Sequence, residues 1–384
     1  VSDQEARRVA LVLGTSAGGV GRHVRMLAER LAGDGRQVVV AGPPATEEAF
    51  DFTGAGARFA AVPIAERPRP LADLGAVLRL RTALRGAQAV HAHGLRAGAF
   101  AVLALAGTRR RGRRTGRRSG RHGARLVVTL HNAVTAGGMT GAIYGVLERI
   151  VARGADRVLV VSPDLGDRMR ARGARRIDAA VVPAPPLTPP ARSPEDVRRE
   201  LAERVAGFTG DRPVVLTIAR LAQQKGLETL LDAAAGPYAA APLFVVAGEG
   251  PLRGEIQQRV DAERLPVLLY GWAATAELLQ VADVLLVPSR WEGQPLNVQE
   301  ALKAGTPIIS TRVGGIPDLV GDAAVLVPEG NAAAMRGELD RLLGDQGLRK
   351  ALAEASAVRG RELPGEAEAL RSVLRAYAGT DADG

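Results

Sequence analysis

Cysteine is absent from the chain, which excludes disulfide bonds and thiolate metal ligands. No run of about 18 consecutive apolar residues occurs, so no membrane-spanning helix is expected. The polar start, "VSDQEARRVALVLG", passes straight into a strand pattern and does not read as a signal peptide, so a cytoplasmic protein is the expectation. No short internal repeat is visible, which argues against a solenoid. Lysine is scarce, present only as Lys225, Lys303 and Lys350, so nearly all positive charge is arginine. Acid is missing from one long stretch: between Leu74 and Leu147 there is no Asp or Glu, but there are thirteen arginines. That stretch carries +13 against +10 for the whole chain, which leaves −3 elsewhere.

What is present is a repeated alternation. The strings "VALVLG", "QVVVAG", "FAAVPI", "QAVHAHG", "RLVVTLHN", "RVLVVSP" and "AAVVPAP" are short, near-continuous apolar runs separated by amphipathic stretches. Such runs predict strands of a parallel sheet covered on both faces by helices. The segment "VPAPPLTPPARSP" then places six prolines in thirteen residues, which predicts a semi-rigid linker. Beyond it the pattern repeats in "PVVLTIAR", "PLFVVAGEG", "PVLLYGW", "DVLLVPS", "TPIIST" and "AAVLVPEG", and the tail reads as helices only. The chain of 384 residues is too long for one ordinary core. We expect two doubly wound, Rossmann-like α/β domains: residues 1–182, a linker at 183–194, residues 195–363, and a final helix and tail at 364–384. Ligands bind such sheets at the carboxyl ends of strands, so two of them facing each other would form a cleft.

The candidate residues lie at those strand ends. "GTSAGGVGRHV" follows the first strand, and Gly18, Gly19 and Gly21 would let backbone approach an anion at a helix start. The glycine spacing is not that of a dinucleotide site. "IARLAQQKGLETL" puts Arg220 and Lys225 in a strand-to-helix loop, two fixed cations suited to a diphosphate. "VVAGEGPLRGEI" places Gly248 and Gly250 after another strand. In "SRWEGQPLNVQEALKAGTPI", Pro295 fits the first helical position, Glu292 lies in the loop ahead and Glu300 on the second turn. Carboxylates accept hydrogen bonds from sugar hydroxyls, and free N–H groups near Leu296 and Asn297 would face an anion between them.

Along the chain, "GGVGRHV", "HAHG", the Arg-x₄-Lys-Gly of "ARLAQQKG", "GEGP" and the Glu-x₇-Glu pattern, in this order, resemble glycosyltransferase family 4, whose members are retaining enzymes of the GT-B fold. The resemblance implies a C-terminal helix crossing back to the first domain. It implies a nucleoside diphosphate sugar donor, a hydroxyl acceptor and no metal cofactor. Arg220 and Lys225 would neutralise the leaving diphosphate, Glu300 would bind ribose and Glu292 the donor sugar. Gly18, Gly19, Gly248, Gly293, Leu296 and Asn297 would line the donor site, and His131 would face the transferred sugar. Pro295 is a departure, because many relatives carry glycine there and gain one more backbone donor.

His23, His91, His93 and His131 are not joined by a cysteine or a tight carboxylate cluster, and the only Asp-x-Asp is at 381–383, so no metal site is expected. His91 is read as a hydrogen bonder at a strand end. Residues 108–123, "TRRRGRRTGRRSGRHG", hold eight arginines and no acid, which predicts a loop suited to an anionic membrane surface and an acceptor that is a lipid or cell-envelope glycan precursor. Four other readings compete. A glycoside hydrolase using Glu292 and Glu300 would leave the cations without a role. The intact Arg220, Lys225, Glu292 and Glu300 argue against a GT-B protein that binds nucleotide or glycan without turnover, whereas a transferase with a soluble acceptor would retain the same motifs. A nucleic-acid binder fits the charge but lacks any motif.

Overall fold

The computed structural model describes residues 7–16, 18–65, 69–114, 123–133 and 138–378. The chain divides into two compact units, Val1–Val182 with Pro364–Gly384, and Pro183–Leu363.

The first unit alternates strand and helix: β1 Arg8–Leu13, α1 Gly19–Gly33, β2 Gln37–Gly42, α2 Pro44–Phe50, β3 Arg58–Ala61, α3 Pro70–Ala83, β4 Ala89–His93, α4 Leu95–Arg114, β5 Arg125–Leu130, α5 Gly138–Gly154, β6 Arg157–Val160, α6 Pro163–Ala171 and β7 Ile177–Ala179. The strands form one parallel sheet in the order β3-β2-β1-β4-β5-β6-β7. The order reverses between β1 and β4, where Leu11 pairs with His91 and Leu13 with His93. Residues of β1, β4, β5 and β6 are almost wholly buried, because helices cover both faces and no side of the strand meets water.

The second unit runs α7 Pro194–Arg204, β8 Val214–Ile218, α8 Leu227–Ala234, β9 Leu243–Ala247, α9 Arg253–Glu263, β10 Val267–Gly271, α10 Thr275–Leu279, β11 Val284–Val287, α11 Leu296–Ala304, β12 Ile308–Thr311, α12 Ile316–Val320, β13 Val325–Val327, α13 Ala332–Gly344 and α14 Gln346–Glu362. Its sheet is parallel in the order β10-β9-β8-β11-β12-β13, and it reverses between β8 and β11. Two apolar layers, one on each face of this sheet, form its core. The expected doubly wound α/β class is therefore what the described residues form.

Four local expectations change. The seventh strand is Ile177–Ala179 and not "AAVVPAP": Ala180 still donates to Val160 at 2.8 Å, but the prolines beyond lack the N–H a ladder needs. The proline-rich stretch is packed at its start, where Ala184 N–H donates to Gln299 at 2.8 Å and its carbonyl accepts from Lys303 at 2.9 Å. Helix α4 continues to Arg114, so the first part of the expected basic loop is helical; residues 115–122 lie outside the described residues, as does the Asp-x-Asp at 381–383. Arginine is a good helix former, and no glycine pair or proline interrupts the run before that point. Pro295 precedes α11 as its cap instead of opening it.

The last helix, α15 Glu366–Ala378, belongs to the first unit. Buried Tyr377 hydroxyl lies 3.0 Å from His91 Nδ1, whose other ring nitrogen sits 2.6 Å from Thr129 Oγ1. Glu366 pairs with Arg30 of α1 at the surface. These two contacts differ in burial, and their weights should differ too. Tyr377→Phe leaves a buried imidazole nitrogen unpartnered and should cost about 1–3 kcal/mol in denaturant unfolding. Arg30→Ala, which removes a solvent-exposed pair, should cost clearly less than the Tyr377 change. Equal losses would contradict the assignment of the latch to Tyr377.

Candidate active site

In open parallel sheets, ligands bind outside the carboxyl ends of strands where the strand order reverses. In the second unit that point lies between β8 and β11, and the loops leaving these two strands carry the main candidates. Lys225 Nζ, after β8, stands 2.6 Å from Glu292 Oε1, after β11. The same carboxylate oxygen accepts from Ser289 Oγ at 2.6 Å. The Glu292 side chain is only 7% exposed and that of Lys225 24%, so this charge pair is largely removed from water. An ammonium has three donors, and Glu292 takes one of them. Arg220 is exposed, and among the described residues it has no carboxylate partner.

The two loops are locked to each other. Arg290 N–H donates to the Gln224 carbonyl at 2.9 Å, and Gln224 Nε2 donates to the Trp291 carbonyl at 2.9 Å. A third segment braces the loop after β11: Gly315 N–H, beyond β12, holds the Glu292 carbonyl at 3.0 Å, and Thr311 Oγ1, at the end of β12, donates to the Ser289 carbonyl at 2.5 Å. Two glycines make the approach possible. Gly226, at φ +60°, would place a Cβ 2.1 Å from the Pro288 carbonyl oxygen, and Gly314, at φ +52°, would place one 1.9 Å from the Glu292 carbonyl oxygen.

Helix α11 begins just past Glu292. Its cap is Pro295, with no side-chain cap bond, and the first intrahelical bond runs from Gln299 N–H to the Pro295 carbonyl. The N–H groups of Leu296 and Asn297 therefore have no acceptor within the helix. Glu300 is buried on the second turn, and Gly293 is buried in the preceding loop. The Asn297 side chain serves the fold: its Nδ2 donates to the Ile218 carbonyl at 2.8 Å and ties α11 to the end of β8. Gly248 does likewise, since its N–H donates to Gly271 at 2.8 Å and a Cβ there would fall 2.0 Å from the Ala219 carbonyl oxygen.

The first unit holds Gly18, Gly19 and His131. Gly18 is exposed as the cap of α1, with open space where a Cβ would be, and Gly19 is the first residue of that helix. Gly21 has a different task, because a Cβ there would run into the Phe50 ring at 2.1 Å; it seats α1 against α2. His131 Nε2 lies 3.1 Å from His93 Nδ1. His23, on α1, stacks edge-on to both, at 5.6 and 5.7 Å between ring centres, and His91 lies 4.2 Å from His93. Burial holds the His23 imidazole down at about 4; burial, and then the charge of His23, hold His91 at about 3. His93 and His131 are lowered by the same causes, burial first. The cluster is neutral at ordinary pH. Among the described residues no group of three or more His, Cys, Asp or Glu is placed to hold a metal ion. Composition alone did not point to this cluster; the register that puts His91 and His93 beside β1 and β5 assembles it.

Two parallel-sheet units, each with its polar residues at the reversal of strand order, place the chain in the two-domain, doubly wound α/β class. Residues 18–185 match the family described as "Glycosyl transferase 4-like domain", and residues 198–359 match "Glycosyl transferases group 1". The chain belongs to glycosyltransferase family 4 and has the GT-B fold. An α-D-kanosaminyltransferase of Streptomyces kanamyceticus is 29% identical over 222 residues, 55% of this chain and 57% of its own length. A D-inositol 3-phosphate glycosyltransferase of Xylanimonas cellulosilytica is 30% identical over 253 residues, 60% of this chain and 58% of its own length. The chain spans about half the length of the curated relatives it matches. Among solved structures, Anabaena HepE in complex with UDP and glucose superposes with a TM-score of 0.78 over 97% of this chain and 100% of that one, at 16% identity. WaaG, a glycosyltransferase involved in lipopolysaccharide biosynthesis, does so at 0.72 over 97% and 100%, also at 16% identity. At that identity the likeness is one of fold.

Two outcomes are expected from these sites. Lys225→Met and Glu292→Gln should each destabilise the second unit, and the double variant should show a coupling energy above about 1 kcal/mol in denaturant unfolding, as for contacting buried charges. Strictly additive losses would mean the pair contributes nothing. The histidines predict acid sensitivity. The unfolded chain takes up protons below about pH 6.5 while the buried imidazoles resist them, so stability should be intact above 6.5. It should fall as pH drops toward 4, where His23 titrates in the fold, and toward 3, where His91 does. Replacing His23 with Gln should flatten that fall in a pH series of melting temperatures.

Proposed function

We propose that the protein transfers a sugar from a nucleoside diphosphate sugar to an acceptor hydroxyl with retention of anomeric configuration. The observation that carries this is the Lys225–Glu292 pair, held at 2.6 Å where the strand order reverses and followed directly by the uncapped start of α11. Sugar hydroxyls need fixed acceptors, and a departing diphosphate needs fixed positive charge; this arrangement supplies both within one loop pair.

In this reading Glu292 accepts hydrogen bonds from the donor sugar, and Glu300 from the ribose. Lys225, with two donors to spare, Arg220 and the N–H groups of Leu296 and Asn297 take up the charge that grows on the diphosphate as the anomeric C–O bond breaks. The acceptor oxygen forms its bond on the same face, and its proton passes to the leaving phosphate. His131, neutral in the His93–His23 cluster, contacts the transferred sugar without adding charge, and Gly18, Gly19, Gly248 and Gly293 give backbone access to the donor. The cations do the work a metal would do, so no metal is required. The acid-free stretch from 74 to 147 supports an acceptor presented at the cytoplasmic face of a membrane, such as a lipid or a cell-envelope glycan precursor.

Thermal shifts with a panel of nucleotide-sugars identify the donor, since a ligand of the folded state raises its stability. Transfer and donor hydrolysis are then measured directly. Arg220→Ala is the cleanest probe, because the side chain is exposed and unpaired; turnover should fall by about 10²–10³, the scale for one preorganised charge donor. Glu300→Gln should weaken binding of the free nucleoside diphosphate, while Glu292→Gln should spare it and lose transfer. Binding without any turnover in the intact protein would reduce the function to recognition. Equal effects of the two glutamate variants on free nucleotide would overturn the division between them.

A further inference from the structure

Among the described residues, six of the eight large exposed apolar side chains lie on three neighbouring helices of the first unit. Helix α3 shows Leu71, Leu74 and Leu78, exposed by 90%, 60% and 57%; α4 shows Leu103; α5 shows Ile143 and Val146. Helix α3 packs on α4, and α4 on α5. All three lie on one face of the sheet, as right-handed crossovers into β4, β5 and β6 require.

The residues sit at matching depths. Leu78, Leu103 and Val146 are each the ninth residue of their helix, about 12 Å from its start at 1.5 Å per residue. Leu71, Leu74 and Leu78 are spaced three and four apart, so they form a single stripe. With helix axes 8–10 Å apart, the three stripes make an apolar belt on the order of 20 Å wide.

Below the belt, toward the helix C-termini, the face turns basic. Arg79, Arg81 and Arg85 at the end of α3, and Arg149 and Arg153 on α5, are exposed and have no carboxylate partner among the described residues. The acidic residues that bound this region are already occupied. Asp73 pairs with Arg96 at 2.8 Å, and buried Glu148 is held by Arg168 at 2.5 Å and Arg172 at 3.1 Å.

We infer that the α3–α4–α5 face docks on an anionic lipid bilayer, with the aliphatic belt entering the boundary between headgroups and acyl chains and the arginines resting on lipid phosphates. The pairing of features selects the partner. A second copy of the chain would set one acid-free basic face against another, and like charges repel. Nucleic acid would satisfy the arginines but would leave the leucines unpartnered. An anionic bilayer satisfies both, and within a Debye length of its surface the attraction is salt-sensitive. The use of this surface for acceptor delivery rests on the proposed transfer reaction; the docking does not, and it is measured without donor or acceptor.

The test is sedimentation of the full chain with vesicles of phosphatidylcholine alone and of phosphatidylcholine with phosphatidylglycerol. Binding to the anionic vesicles is expected to be at least about tenfold tighter, and to weaken with salt. The variant Leu71→Gln/Leu74→Gln/Leu78→Gln should lose about tenfold or more of that binding at every salt concentration. The variant Arg79→Gln/Arg81→Gln/Arg149→Gln should lose binding at low salt and flatten the salt dependence. Both change exposed side chains only, so circular dichroism and melting temperature should match the parent and separate lost docking from lost fold. Inorganic phosphate at equal ionic strength should not compete more than chloride. Three results would each overturn the inference: equal binding to both vesicle types, undiminished binding of the leucine variant, or a parent that ignores vesicles and forms a dimer that the leucine variant dissolves. Failure here would leave sugar transfer standing, and loss of transfer would leave the vesicle result standing.

Discussion

The contact between Lys225 and Glu292 governs how the second unit is built around its site. A carboxylate this deeply buried must have a charged or hydrogen-bonding partner, or it would not remain a carboxylate. The partner comes from 67 residues earlier in the chain, so the contact exists only if β8 and β11 are neighbours. Loops must also approach the one after β11 more closely than side chains allow, which is why Gly226, after β8, and Gly314, after β12, occupy positions where a Cβ would strike its backbone. The remaining bonds around Glu292, from Ser289, Gly315 and Gln224 to Trp291, then fix the loop from several sides. The sheet order, the glycines and the loop bonds each serve one pair of charges.

The two units solve the same positional problem with opposite electrostatics. In each, polar side chains gather where the strand order reverses, at β1 and β4 in one and at β8 and β11 in the other. The second unit places formal charges there. The first places imidazoles that burial keeps neutral, linked through His93 to His131 and through His91 to Tyr377. Neutral imidazoles can give and accept hydrogen bonds with hydroxyls without attracting counter-charge. Charged groups answer to phosphate.

The strands were legible because parallel sheets bury both faces, so that each strand reads as an unbroken apolar run. The helix start at Pro295 and the flanking glutamates were legible for local reasons, to within one residue. What the sequence could not display is partnership across distance. Ser289, Gln224 and Thr311 are ordinary polar residues until the fold brings them to the Glu292 loop. Glycines mislead in the other direction. Gly21 resembles a ligand-facing position in the chain, yet it seats a helix on Phe50. Short helices such as α6 and α10 were hidden because five to nine residues give too little periodicity to register.

The cap of α11 shows how a helix end can be kept available. Helices α7, α13 and α14 are closed in the usual way: the side chains of Ser193, Asn331 and Asp345 each accept a bond from a first-turn N–H. Such a cap stabilises a helix by about 1 kcal/mol. Helix α11 forgoes it. Pro295 has no side-chain acceptor, and its φ of −66° is the angle its ring imposes in any case, so it starts the helix without occupying the N–H groups beyond it. Serine or aspartate at this position would offer the N–H of Asn297 or Val298 an internal partner. Proline offers none, and the start of α11 lies next to the loop after β8 that carries one lysine and one arginine. Helices α1, α2, α3, α6, α8, α9, α10 and α12 also start without a side-chain cap bond, so what sets α11 apart is the Lys225–Glu292 pair fixed just ahead of it.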